Sequence, residues 1–135
     1  MEYLSKSEND TFNIALNIAK KTKSHIVLSG ELGSGKTAFV KGYVSLYNLE
    51  KEVSSPTYTI VNEYTNKDVS IFHFDLYRIN DIQNYINTVG EEYLNLGICI
   101  FEWGNLIKDF LPKNTIYVDI QKIDENTRKI MVNNL

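Results

Sequence analysis

The chain contains few prolines, few glycines and a single cysteine. Two prolines and seven glycines among 135 residues are too few for a low-complexity or collagen-like segment. Cys99 alone cannot form an internal disulfide or a cysteine-based metal site, and its apolar neighbours predict a buried thiol. Because 43% of the residues are hydrophobic and 23% are charged, the composition indicates a folded globular protein.

Long apolar runs and an excess of positive charge are also missing. No segment approaches the ~18–20 apolar residues that span a bilayer, and residues 1–6 lack the basic start and apolar run of a signal peptide. We therefore expect a cytoplasmic protein without membrane contact. With a net charge of −3, no global positive field attracts nucleic acid, so any contact with RNA would be local or made through a partner.

Apolar spacing predicts an α/β fold in one domain over residues 1–135, with helices flanking a mixed parallel and antiparallel sheet. Helices are predicted over 9–21, 36–47, 81–93 (one or two helices) and 106–111. Strands are predicted over 25–29, 58–64, 70–76, 98–102, 115–120 and 128–132. The order strand, glycine turn and helix around residue 30 is the order that a phosphate site requires.

The glycine turn carries a complete phosphate-loop motif. Residues 30–37 read Gly-Glu-Leu-Gly-Ser-Gly-Lys-Thr and match G-x-x-x-x-G-K-[ST]. The glycines let backbone N–H groups turn towards phosphates, Lys36 would contact the β- and γ-phosphates, and Thr37 would bind Mg²⁺. An ordinary glycine turn before a helix is the alternative, but the full match with a strand before it and a helix after it favours nucleotide binding. The predicted nucleotide-binding residues here are Glu31, Leu32, Gly33, Ser34, Gly35, Lys36, Thr37 and Ala38.

A second signal lies at the end of the apolar strand over 98–102. Its last residue, Glu102, is the acid that P-loop proteins bring beside the metal at the carboxyl edge of the sheet, although such an acid is also commonly just solvated. Trp103 is either a packing residue or a lid over the site. We predict Glu102 as a metal ligand together with Thr37.

Two further segments carry candidate residues. In residues 54–59, hydroxyl side chains surround Pro56 where a switch segment would lie, although an ordinary turn or helix cap gives the same pattern. Asp75 lies at the end of the strand predicted over 70–76, as either a site residue or a cap or partner of Arg78. His73 alternates with Phe72 and Phe74, which is typical of a strand-face residue rather than a metal ligand.

Four blocks taken together resemble the TsaE (YjeE) family, small bacterial P-loop ATPases needed to make threonylcarbamoyladenosine beside the anticodon of tRNA. The blocks are the phosphate loop, Ser-Pro-Thr-Tyr-Thr-Ile-Val-Asn-Glu-Tyr at 55–64, His-Phe-Asp-Leu-Tyr-Arg at 73–78 and Ile-Cys-Ile-Phe-Glu-Trp at 98–103. Many families share the first block, whereas the second and third together are specific. The resemblance extends over most of the chain.

The resemblance implies ATP on the phosphate loop and Mg²⁺ on Thr37 and Glu102. It also implies a switch-like loop near the γ-phosphate that contains Thr57, with Asp75 orienting or activating the attacking water. Asp75, Lys36 and Thr57 are therefore the catalytic candidates. The base would be held near residues 9–11 and 128–129, which adds Thr11 to the nucleotide-binding candidates, and Trp103 completes that set. Similar proteins act with the partners TsaB and TsaD, of which TsaD carries the transfer chemistry, so tRNA would be met through the complex.

Some positions depart from the family pattern: Ser34, Ala38 and Gly104 stand where alanine, threonine and proline are frequent. None removes a charge or a metal ligand. The chain has only two arginines, so hydrolysis is expected to be slow until a partner stimulates it. The same scarcity argues against a small-molecule kinase with an arginine-rich lid. A nucleotide-gated docking module without significant turnover is the remaining alternative.

Overall fold

The computed structural model describes residues 1–53 and 61–135, and within them seven strands form one sheet in the order β1-β7-β6-β2-β5-β4-β3. The strands are β1 (Glu2–Ser5), β2 (Ile26–Gly30), β3 (Val61–Thr65), β4 (Ser70–Asp75), β5 (Ile98–Glu102), β6 (Ile116–Lys122) and β7 (Arg128–Asn133). The α-helices are α1 (Glu8–Lys21), α2 (Lys36–Ser45), α3 (Ile82–Tyr85) and α4 (Glu91–Leu96). Tight 3-10 turns span Glu50–Glu52, Leu76–Arg78 and Gly104–Phe110, and a π turn over Ile86–Gly90 joins α3 to α4.

The sheet combines a parallel centre with antiparallel flanks. Strands β6, β2, β5 and β4 pair in parallel, so their carboxyl ends meet at one edge. Strands β1 and β7 on one side and β3 on the other are antiparallel to their neighbours. The predicted mixed α/β fold is confirmed, and the parallel centre places the ends of β2, β4 and β5 side by side.

Helices α1 and α2 cover one face of the sheet. Ser7 caps α1 by accepting a hydrogen bond from the Asp10 N–H at 3.0 Å, which satisfies one of the free donors at a helix start. A Cβ on Gly42 would overlap the backbone of Phe12, so only glycine lets the two helices lie this close. The close contact brings the start of α1 beside the start of α2.

Each face of the sheet has its own apolar core. The larger core lies under α1 and α2 and includes Ile26, Leu28 and Ile100. The smaller core on the opposite face is aromatic, with Phe74 and Phe101 stacked at a centroid distance of 4.9 Å. Strand β5 is buried along its whole length, as predicted, because it contributes to both cores. Cys99 is buried as predicted, and burial raises the pKa of its thiol to about 12.

Most strands and the first two helices lie close to where they were predicted, whereas strand β1 was missed and the helix predicted over 106–111 is a 3-10 turn over Gly104–Phe110. Strand β1 was not predicted because four residues of mixed polarity carry no strand pattern; it forms by pairing with β7. The strand predicted over 58–64 is described from Val61 onwards, and residues 54–60 lie outside the described part. Strand β4 ends one residue early because the Asp75 side chain caps the turn that follows. Among the described residues, no helix is long and apolar enough to cross a membrane.

Candidate nucleotide-binding site

The predicted phosphate loop connects the end of β2 to the first residue of α2. Gly33 and Gly35 adopt φ angles of 80° and 108°, which residues with side chains rarely adopt, and beyond the adjacent residues no atom lies within 4 Å of where their Cβ atoms would be. A Cβ on Gly30 would instead approach the Ile120 carbonyl oxygen at 2.8 Å. The loop is therefore tight against β6 and open around its two later glycines, ahead of the positive end of a ten-residue helix.

Lys36 and Glu102 come together at the carboxyl edge of the sheet. Glu102 pairs with Leu28 of β2 in the parallel register, so the last residue of β5 lies beside the strand that enters the loop. The Lys36 Nζ atom is 3.5 Å from Glu102 Oε1, and only 8% of the Glu102 surface is exposed. Two residues predicted from separate motifs thus form one buried ion pair.

The second oxygen of Glu102 is bound by His73. The His73 Nε2 atom contacts Glu102 Oε2, and His73 Nδ1 lies 3.1 Å from the Tyr64 hydroxyl. An ionised carboxylate only accepts hydrogen bonds, so Nε2 carries the hydrogen. Burial raises the pKa of Tyr64 to about 12, so its hydroxyl stays protonated. Tyr64, His73 and Glu102 form a buried chain across β3, β4 and β5.

This chain determines the charge of Glu102. Burial alone would raise the pKa of the carboxyl. The hydrogen bond from His73, followed by the charges of His73 and Lys36, outweighs burial and holds the pKa below its ordinary value. Glu102 is therefore a carboxylate at neutral pH. His73 does lie on a strand as predicted, but its contact with Glu102 was not predicted, because the local pattern shows only a polar residue between two phenylalanines.

Asp75 lies next to Glu102 across the sheet. The two residues are directly paired in the register of β4 and β5. The Asp75 Oδ1 atom accepts a hydrogen bond from the Tyr77 N–H at 3.1 Å, which makes Asp75 the cap of the turn after β4. The position of Asp75 is compatible with both interpretations of the sequence, because Asp75 caps a turn and also lies beside Glu102 at the site.

Trp103 follows Glu102 in the left-handed backbone region, with a φ angle of 63°. This conformation ends β5 abruptly. The Lys36 Nζ atom is 4.8 Å from the centroid of the Trp103 ring, within the range of a cation–π contact. The exposed ring of Tyr77 lies 5.0 Å from the same indole. Trp103 is 44% exposed and therefore acts as a partial cover over Lys36.

Arg128, at the start of β7, contacts the phosphate loop from the side opposite to Glu102 in the strand order. Its Nε atom donates to the Ser34 carbonyl at 2.9 Å and Nη2 to the Gly33 carbonyl at 3.3 Å. Its Nη1 atom donates to the carbonyls of Asp124 and Thr127 at 2.7 and 3.1 Å. The resemblance placed this region near the base, and the contact with the loop backbone was not foreseen.

Two clefts adjoin the loop. The larger, of about 540 Å³, is bounded by Gly30, Glu31, Lys36, Trp103 and the end of β6. The smaller, of about 260 Å³, is lined by Glu8, Asn9, Phe12, Thr37, Ala38 and Lys41. Because the second cleft begins at Thr37 and runs between the starts of α1 and α2, it continues directly from the end of the phosphate loop.

The other predicted nucleotide-binding residues differ in their exposure to solvent. Leu32, at the tip of the loop, is 96% exposed, and Glu31 beside it is also exposed. Ser34 is buried, and its hydroxyl has no hydrogen-bond partner among the described residues. Thr11 is buried with its hydroxyl 2.7 Å from the Ser5 hydroxyl, while its neighbour Asn9 lines the smaller cleft. Thr57 and the rest of the predicted switch segment lie outside the described residues.

The oxygen atoms of Thr37 and Glu102 suit Mg²⁺, which prefers hard oxygen ligands. Within residues 1–53 and 61–135, no group of three or more His, Cys, Asp or Glu side chains could hold a metal ion. Mg²⁺ is commonly bound through one or two carboxylates with water and phosphate oxygens completing the shell. The side chains present therefore fit a metal that arrives with a nucleotide, and they do not form a complete metal cage of their own.

The fold and the site together define an α/β protein of the P-loop class. The sequence model described as "Threonylcarbamoyl adenosine biosynthesis protein TsaE" matches residues 5–130. Since that range includes most of the 135 residues, the chain belongs to the TsaE family. The resemblance seen in the four sequence blocks is confirmed.

Individual relatives agree with the family assignment. A protein from Aquifex aeolicus is 37% identical over 97% of this chain and 94% of its own length. One from Treponema pallidum is 29% identical over 98% and 99%, and one from Bacillus subtilis is 33% identical over 78% and 66%. All three are named tRNA threonylcarbamoyladenosine biosynthesis protein TsaE. The crystal structure of Bacillus subtilis YdiB is similar with a TM-score of 0.71 at 26% identity, over 96% of this chain and 82% of that one.

Proposed function

We propose that the protein is a Mg²⁺-dependent ATPase that acts in the cytoplasm in the threonylcarbamoyladenosine modification of tRNA. The observation that carries the proposal is the contact of 3.5 Å between Lys36 and Glu102. It joins the lysine of a complete phosphate-loop motif to the acid at the end of the neighbouring parallel strand. Family membership supplies the pathway.

ATP would bind along the loop from the open glycines to the smaller cleft. The backbone N–H groups of the loop and the start of α2 would hold the phosphates, with Lys36 at the β- and γ-phosphates. Adenosine would lie in the cleft that begins at Thr37 and Ala38. Thr37 and Glu102 would hold Mg²⁺, which neutralises charge on the β- and γ-phosphate oxygens when bound. In that state Lys36 would exchange part of its contact with Glu102 for phosphate.

In hydrolysis, a water oxygen bonds to the γ-phosphorus while the bond from that phosphorus to the bridging oxygen breaks, giving ADP and inorganic phosphate. Asp75 stands beside Glu102 in the sheet register, where a carboxylate would accept a hydrogen bond from the attacking water. Its role as cap of the following turn keeps the carboxyl in place. Trp103 would reduce the access of bulk water to the Lys36 ammonium.

The isolated protein should hydrolyse ATP slowly. The Arg128 guanidinium group donates to backbone carbonyls of the loop and of the β6–β7 turn. Arg128 would therefore not act as an arginine finger on the γ-phosphate. A finger supplied by a partner is worth ~10³–10⁵ in rate. We propose TsaB and TsaD as these partners, with tRNA met through the complex. ATP turnover would drive or reset the complex, while TsaD carries out the transfer chemistry.

The direct test is phosphate release from Mg-ATP by the purified protein, first alone and then with TsaB and TsaD. Stimulation well above the sum of the separate rates supports an active ATPase within the complex. If ATP binds but no phosphate appears in either condition, the protein is a nucleotide-gated docking module.

Replacing Asp75 by Asn distinguishes catalysis from docking. We expect ATP hydrolysis to fall by about 10²-fold or more, while the dissociation constant for ATP stays within about twofold, because the residue acts on the water. Asp81→Asn is the matched control, since Asp81 also caps a helix, by accepting from the Asn84 N–H at 3.1 Å. Equal rates for the Asp75 variant and the wild type would exclude a catalytic role for Asp75.

A further inference from the structure

We infer that Arg128 is a positioning residue that sets the shape of the phosphate loop. The inference rests on the proposed nucleotide site, because it concerns how that site is kept ready for phosphates. Arg128 is half-buried and far from the loop in sequence, at 94 positions after Ser34. The Arg128 side chain nevertheless donates hydrogen bonds to two peptide groups of the loop, each of which adjoins a glycine.

Arg128 binds the glycine-rich part of the phosphate loop. Nε and Nη2 of Arg128 donate to the carbonyls of Ser34 and Gly33, at 2.9 and 3.3 Å. These peptides join Gly33, Ser34 and Gly35, of which the two glycines have positive φ angles and therefore the widest choice of backbone conformations. A planar guanidinium group that binds both carbonyls limits that choice.

The hydrogen bonds from Arg128 also determine the direction of the backbone N–H groups in the loop. In a trans peptide the carbonyl oxygen and the next N–H point to opposite sides of the chain. When Arg128 holds the Ser34 carbonyl, the Gly35 N–H is directed away from Arg128. Donors directed in this way form the anion-binding concavity of a phosphate loop. Arg128 would thus stabilise the phosphate-binding conformation before any ligand arrives, which lowers the ordering cost of binding.

A further nitrogen of the Arg128 guanidinium group is bound to the turn between β6 and β7. Nη1 of Arg128 is bound by carbonyls of the β6–β7 turn, with Asp124 the nearest at 2.7 Å. That turn is itself ordered, because the Asp124 carboxylate accepts hydrogen bonds from the N–H groups of Asn126 and Thr127 at 3.0 and 2.9 Å. The guanidinium group therefore connects the loop to a fixed turn.

The experiment compares Arg128→Met with Lys21→Met by calorimetric titration of two probes, ADP and inorganic tripolyphosphate. Lys21 is an exposed lysine in the last turn of α1, outside the predicted nucleotide-binding residues. We expect Arg128→Met to weaken the binding of both probes by about tenfold and by the same factor, equivalent to about 1.4 kcal/mol. Lys21→Met should leave both dissociation constants within about twofold. A loss of stability alone would lower the melting temperature without changing the affinity of the folded protein.

Two results would overturn the inference. One is unchanged affinity of Arg128→Met for both probes, and the other is weakened ADP binding with unchanged tripolyphosphate binding, which would place Arg128 at the base. If Arg128→Met does not fold, Arg128→Lys carries the same test, because lysine keeps the charge but cannot bridge both loop carbonyls and the turn. A wild-type protein that binds neither probe would instead refute the proposed function itself.

Discussion

The phosphate loop is held from two sides by contacts of different character. On the β5 side, Lys36 meets Glu102 in a buried, charged chain that continues through His73 to Tyr64. On the β7 side, Arg128 is half-buried and binds only backbone carbonyls. The first side places the charges of Lys36 and Glu102 at the site, and in the proposed function it would also supply a metal ligand. The second controls the conformation of the loop backbone.

This difference separates two properties that a nucleotide-hydrolysing site needs. Changes in the buried chain should alter metal binding and turnover, because they act on the carboxylate that would hold Mg²⁺. Changes on the Arg128 side should alter phosphate affinity, because they act on donors that contact every phosphate ligand equally. The variants below separate the two sides further.

The largest effect is expected for Lys36→Ala, which removes the ammonium group that joins the loop to the buried chain. We expect ATP affinity to fall on the order of 10²-fold, because a charged hydrogen bond to phosphate is lost, worth roughly 1.5–3 kcal/mol. The measurement is calorimetric titration with Mg-ATP. Lys67→Ala, at an exposed lysine of the β3–β4 turn, is the control. Unchanged affinity for Lys36→Ala would show that the loop is not the phosphate site.

A smaller and more selective effect is expected for His73→Ala. Removing the group that orients Glu102 should weaken metal binding by roughly 10–100-fold, as for other residues that support a metal ligand. Mn²⁺ binding in the presence of ADP, followed by electron paramagnetic resonance, measures this directly. Tyr64→Phe keeps the imidazole and should change it less. If His73→Ala weakens tripolyphosphate binding without metal as strongly as it weakens Mn²⁺ binding, the proposed separation between the two sides is wrong.

The smallest effect is expected for Glu102→Gln, through the pH dependence of the free energy of unfolding. The pKa of Glu102 is lower in the folded protein than its ordinary value of 4.5. Its ionisation therefore stabilises the fold above that value, and the contribution is lost as the pH falls below it. Glu102→Gln should show a shallower decline in the free energy of unfolding between about pH 6 and pH 3.5, measured by urea titration. A decline as steep as in the wild type would assign the acid sensitivity to other carboxyls.

Local pattern was sufficient to predict one part of the site and insufficient for the other. The phosphate loop, Glu102 and the strand that carries Glu102 were predictable because spacing and hydrophobicity within about ten residues define them. The contact of His73 with Glu102 spans 29 residues, and that of Arg128 with Ser34 spans 94. Both depend on the order of strands in the sheet, which the sequence pattern did not specify. Strand β1 was missed for the same reason, since its partner is the last strand of the chain.

The position of Trp103 has a practical consequence. It is the single tryptophan of the chain, and its ring is 4.8 Å from the Lys36 ammonium and 44% exposed. Indole emission depends strongly on neighbouring charge and hydration, so a ligand that draws Lys36 away from the ring changes the fluorescence of the whole protein. Trp103 would thus serve as an intrinsic fluorescence probe for occupancy of the phosphate loop in the unlabelled wild-type protein.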